Sequence, residues 1–110
     1  MIRPNAPRQQ ARRLRDFGSR ERILVINAMP CVCAGKHPEC TGGWSEPSHI
    51  VSRGAGGRAA DIVPMSTGCH AAWHHGRASY LDQLGLDDDA MARAAVETDR
   101  QAELELEAQP

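Results

Sequence analysis

The chain has 110 residues, 41% of them apolar but only 4% aromatic, with a formal net charge of −1. A chain this short holds one domain with a small core, and such domains commonly need a metal or disulfides as a staple. Its longest apolar run, residues 23–26, is far too short to span a bilayer, so no membrane partner is expected.

The charge is unevenly placed. Residues 1–22 sum to +5, residues 23–81 to +1 and residues 82–110 to −7. A basic end fits a nucleic-acid contact, although a solvated arm has the same composition.

In chain order, residues 1–20 read as a flexible Arg-rich arm, with only Leu14 and Phe17 as anchors. This stretch contains no apolar signal region, so a reducing, cytoplasmic setting is expected, with metal-bound thiolates favoured over disulfides. Residues 21–86 form the expected folded domain. Within it, residues 20–29 pack as a helix or a strand until Pro30 breaks the run. Residues 31–47 hold three cysteines, three glycines and two prolines, the composition of an irregular loop that needs an external constraint. Residues 49–52 read as a strand, 53–58 as a glycine turn, and 61–64 as a second strand closed by Pro64. Ser66 or Thr67 then caps a helix that Gly76 stops. Tyr80, Leu81, Leu84 and Leu86 can close the core. Asp87 can cap a final helix to about residue 107, so residues 87–110 read as an acidic C-terminal helix or tail.

Cys31-x-Cys33, Cys40 and Cys69 make a plausible tetrahedral zinc set, with His37 competing for the fourth place. Structural knuckles usually pair cysteines two to four residues apart, but Ser66 stands where Cys69 would have its partner.

His70 and His74 lie four residues apart on the expected helix, so both imidazoles return to nearly one face, a metal-ligand spacing. His75 points about 100° away. Trp73 can face the core. A histidine on the neighbouring strand, His49, can aim at the same spot, and histidine is a residue type suited to deprotonating a water.

The array H-I-V, G-x-G-G, D-I-V-P-M and C-H-x-x-W-H resembles the HNH nucleases, over about residues 30–76. Its S-H-I-V-S-R-G-A-G-G phrase is most similar to the small HNH proteins of phages and prophages. The resemblance implies an α+β fold: a ββα-metal (His-Me finger) core with a zinc-stabilised cysteine loop and flanking helices. It implies a DNA endonuclease in which His49 is the general base. Asp61 braces the loop that presents this base, and His70 and His74 hold a divalent cation, Mg²⁺ or Mn²⁺/Ni²⁺. Three positions depart from the family pattern. Ser48 replaces an acidic or histidine ligand, Asp61 replaces asparagine, and Ser66 replaces a zinc cysteine. Arg53 and Arg58 flank the turn, where they meet backbone phosphates or simply solvate it. The competing expectation is a non-catalytic, zinc-stabilised nucleic-acid-binding module.

Overall fold

The computed structural model describes residues 6–109. Among them are five α-helices and one two-stranded antiparallel sheet: α1 (Ala6–Phe17), α2 (Arg20–Asn27), β1 (Ser45–His49), β2 (Ile62–Ser66), α3 (Thr67–His75), α4 (Arg77–Leu84) and α5 (Asp88–Glu107). Two short 3-10 turns, Arg53–Ala55 and Ala59–Asp61, lie in the loop between the strands. No helix among these residues is long and apolar enough to cross a membrane.

The arm is not irregular where it is described: residues 6–17 form α1. The segment left open between helix and strand is helix α2. Ser19 settles it locally, because its hydroxyl accepts the Arg22 amide as an N-cap. Ile26 then enters the core, and the Asn27 side chain donates to the Ser45 carbonyl, 2.7 Å away.

The strands sit a few residues from where the sequence placed them. β1 begins at Ser45 and ends at His49, so residues 50–52 already belong to the loop. β2 continues past Pro64 to Ser66. Pro64 does not stop it because Pro47 stands directly opposite, and a two-stranded sheet lets both missing N–H groups face outward. All five residues of β2 are buried, so both of its faces are covered. The packing partners are α2 and α5 together with α3.

Helix α5 is part of this core. Asp87 caps it by accepting from the Ala90 amide, and Met91, Ala95, Thr98 and Ala102 form a buried stripe at helical spacing. Arg22 ties the layers together from a buried position. Its guanidinium donates to the Ala59 carbonyl at 3.0 Å and pairs with Asp99 at 2.8 Å. Tyr80 and Leu81 of α4 close the core over Trp73, with Leu84 and Leu86 packed at its border.

Candidate active-site cleft and cysteine metal centre

Two clusters of cysteine or histidine side chains gather around β1, β2 and α3. The first is the cysteine set. Residues 31–44 fold as successive tight turns, with Ala34 at φ +52°. They approach the first turn of α3 so closely that a Cβ on Gly68 would lie 1.9 Å from the Glu39 carbonyl oxygen. This approach gathers Cys31, Cys33, Cys40 and Cys69, whose Sγ atoms all lie within 4.8 Å of one another. Cys33 Sγ is 3.6 Å from Cys31 Sγ and 3.5 Å from Cys69 Sγ. Tetrahedral zinc with its usual Zn–S bonds needs sulfurs about 3.8 Å apart, so the four thiols can hold such a metal.

The surroundings suit that role. The Ser66 amide donates to Cys31 Sγ, and the Ser66 hydroxyl donates to Cys40 Sγ while accepting from the Cys69 amide as the N-cap of α3. The hydroxyl at the Cys40 sulfur brings that thiol down to about 7. Burial pushes Cys31 up and Cys69 up to about 12, so both stay protonated unless a cation displaces the protons. The Tyr80 hydroxyl is buried beside the Cys69 sulfur. His37 is not a competitor for the fourth place. Its Nε2 is paired with Gln83 Oε1 at 2.6 Å, its Nδ1 accepts the Glu39 amide, and its ring stacks on Tyr80.

The second group lines an open cleft of about 380 Å³. His49, His70, His74, Arg53 and Arg77 share its wall with Phe17 and Trp73. His70 and His74 rise from one face of α3, and their Nε2 atoms are 2.9 Å apart. Glu46 of β1 fixes the tautomer. Its Oε1 lies 2.8 Å from His70 Nδ1, which donates as N–H and leaves Nε2 with its lone pair. A carboxylate behind a ligating imidazole is a recurrent arrangement in metal sites. Sequence reasoning missed Glu46, because nothing in its spacing from His49 or His70 marks it.

His49 ends β1 beside this pair. The Trp73 indole donates to its carbonyl, which pins the strand end to α3. Its Nε2 lies 2.6 Å from the Asp16 carbonyl, and a carbonyl can only accept, so Nε2 carries the proton and Nδ1 the lone pair. The Phe17 ring packs edge-on against it. Asp61 stands at the far end of the loop. Its Oδ2 accepts the Arg58 amide at 2.9 Å, and its carbonyl accepts the Ile50 amide at 2.9 Å, next to His49. Gly57 lets that loop fold back, since a Cβ there would sit 2.0 Å from the Val51 carbonyl oxygen.

Ser48 does not reach the cleft. It is packed inside the fold, absent from the cleft lining, and its hydroxyl is fully buried without a partner. The expectation that it occupies a third metal-ligand position is therefore not met. His75 lies outside this cleft, in a depression it shares with His37. Arg53 and Arg58 flank the loop as half-exposed side chains, each 3.9 Å from a carboxylate oxygen of Asp16. The Arg15 hydrogen bond, with help from these two guanidiniums, holds the Asp16 carboxyl below its ordinary value. Arg77, also missed in the sequence, stacks on Trp73 at 4.6 Å and donates to the Ile50 carbonyl.

Together these features define a small α+β domain able to hold a structural metal such as zinc on four cysteines. Comparison with protein-family models, with curated proteins and with solved structures finds no match to this chain.

Proposed function

We propose that the histidine cleft is the active site of a metal-dependent DNA endonuclease of the HNH type, of the small phage or prophage kind. The observation that carries this reading is the convergence of His70 Nε2 and His74 Nε2, 2.9 Å apart, in a cleft that His49 also lines.

The roles follow from ring chemistry. The Asp16 carbonyl occupies the Nε2–H of His49, so Nδ1 is the atom free to take a proton from water. The water oxygen bonds to phosphorus as the bond from phosphorus to the 3′ oxygen breaks. The water's proton passes to His49 Nδ1, and the departing 3′ oxygen takes a proton from solvent. The products are a 5′-phosphate and a 3′-hydroxyl. His70 and His74 would hold a divalent cation, Mg²⁺ or Mn²⁺/Ni²⁺, which when bound supplies positive charge for the departing oxygen. Glu46 keeps His70 in the ligating tautomer, and Asp61 holds the loop beside the base. Arg53 and Arg58 meet phosphates flanking the scissile bond.

A second reading, a non-catalytic zinc-stabilised nucleic-acid-binding module, is favoured by the burial of Ser48, which leaves the imidazole pair without a third protein ligand in the cleft. Supercoiled plasmid incubated with Mg²⁺, Mn²⁺ or Ni²⁺ separates the two. The nuclease nicks or linearises it, and His49→Ala and His74→Ala each abolish that. Tight binding with no cleavage under any metal supports the module instead.

A further inference from the structure

We propose that helix α1 is a docking arm for the backbone of duplex DNA, contacting three phosphates within a run of four on the strand that passes the histidine cleft. The inference rests on the cleft being a DNA site, but not on cleavage there.

A helix in a globular protein ordinarily buries an apolar stripe. Helix α1 has none. Residues 7–15 are all exposed, and only its last turn is attached, through buried Asp16 and half-buried Phe17. A lone helix of this length is marginal in water, so its order calls for a partner along its exposed length.

The chemistry of that length is cationic. Arg8, Arg12, Arg13 and Arg15 are exposed, and the only acid on the helix, Asp16, is already engaged by Arg15, Arg53 and Arg58. Arg8, Arg12 and Arg15 recur at spacings of four and three, so they share one face. Their row spans about 10 Å of helix axis, close to the axial rise of three nucleotide steps on one strand, the span of four consecutive phosphates.

Placement supplies the direction. A depression of about 590 Å³ runs beside Arg12, Arg13 and Arg15 and ends at Phe17 and Arg53, which also line the histidine cleft. A strand leaving the cleft over Arg53 therefore meets the arginine row. An acidic protein surface would satisfy the charge, but stable protein interfaces have an apolar centre. The arm's exposed part offers a single large apolar side chain, Leu14.

The test is duplex binding by fluorescence anisotropy across a salt series, with zinc-loaded protein and no added cleft metal. It compares wild type, an Arg8→Gln/Arg12→Gln/Arg15→Gln variant, and an Arg93→Gln/Arg100→Gln control on α5. Glutamine keeps helix propensity close to that of arginine. Each phosphate contact contributes about 0.9 to the log–log salt slope, so the arm variant should lose about 2.7 while the control keeps the wild-type slope. An unchanged slope in the arm variant overturns the proposal, as does an equal fall in the control. Arm-dependent binding by a protein that leaves supercoiled plasmid uncut under Mg²⁺, Mn²⁺ and Ni²⁺ alike would sink the nuclease reading and leave the arm intact.

Discussion

Replacing Cys69 by alanine separates a zinc-stapled core from one that merely contains thiols. Cys69 is fully buried, 3.5 Å from Cys33 Sγ, and its amide is part of the N-cap of α3. If no metal is held, the substitution deletes one buried sulfur, a loss on the order of 1 kcal/mol. If zinc is held, the loss is far larger. Structural zinc contributes roughly 10 kcal/mol or more in small zinc peptides, comparable with the roughly 5–15 kcal/mol that stabilises a whole domain. For 110 residues the unfolding entropy is about 0.23 kcal/mol/K, so each kcal/mol moves the melting temperature about 4 °C. The metal-free case therefore gives a shift of about 4 °C, and losing even about 4 kcal/mol of zinc stabilisation gives about 17 °C. Circular-dichroism melts of wild type and Cys69→Ala, each with and without a chelator, read this directly. Chelation should lower the wild type to near the variant and add little to the variant itself, because both remove the same interaction. Elemental analysis showing no zinc, with a shift near 4 °C regardless of chelator, would refute the reasoning.

Three further outcomes follow from the same geometry. Glu46→Ala should weaken Mn²⁺ binding at the His70–His74 pair by about 10–100-fold in a titration, while the zinc content of the protein stays unchanged. Gly68→Ala should expel the cysteine loop from α3 and lower zinc retention, since the new Cβ would lie 1.9 Å from a carbonyl oxygen. Gly42→Ala, at φ +66° in open space, should cost only about 1–2 kcal/mol and keep the zinc. Asp16→Asn should loosen α1 at neutral pH, read as faster amide exchange over residues 8–17. The Asp16 carboxyl is held below its ordinary value of 3.8, first by the Arg15 hydrogen bond. Its tie to the arginines is therefore fully present above pH 3.8 and lost only as pH falls below it. Wild-type protection of α1, corrected for intrinsic exchange, should accordingly be the same at pH 5 and pH 7.

Much of the site scaffold was legible because it rests on local chemistry. Ser66 and Gly76 bracket α3, Asp87 caps α5, and the glycines between the strands allow only a turn. The spacing of His70 and His74 put both rings on one face before any tertiary contact was known. What escaped depends on contacts distant in sequence. Residues 20–29 are equally apolar for a helix or a strand, and the outcome depends on the Ser19 cap and on Asn27 reaching the Ser45 carbonyl. Helix α1 carries only a thin apolar side, Ala11, Leu14 and Phe17, among its arginines and glutamines, and that reads as a solvated arm. The burial of Ser48 and the role of Glu46 both follow from how β1 lies against α3, and residue spacing does not encode that. The contact of His49 with the Asp16 carbonyl joins residues 33 apart in sequence. Only the fold could reveal it.

The most direct test of the cleft as a nuclease site is the single-turnover cleavage rate of His49→Ala against wild type, at saturating DNA and divalent metal. Loss of a general base should slow cleavage about 10²–10⁴-fold. Zinc content and Mn²⁺ affinity should stay as in the wild type, because His49 neither belongs to the cysteine set nor pairs with His70 and His74, and saturating DNA removes any change in affinity that follows from losing its contact with Asp16. Cleavage by His49→Ala at the wild-type rate would contradict the assignment of the base, and with it the histidine cleft as the place where DNA is cut.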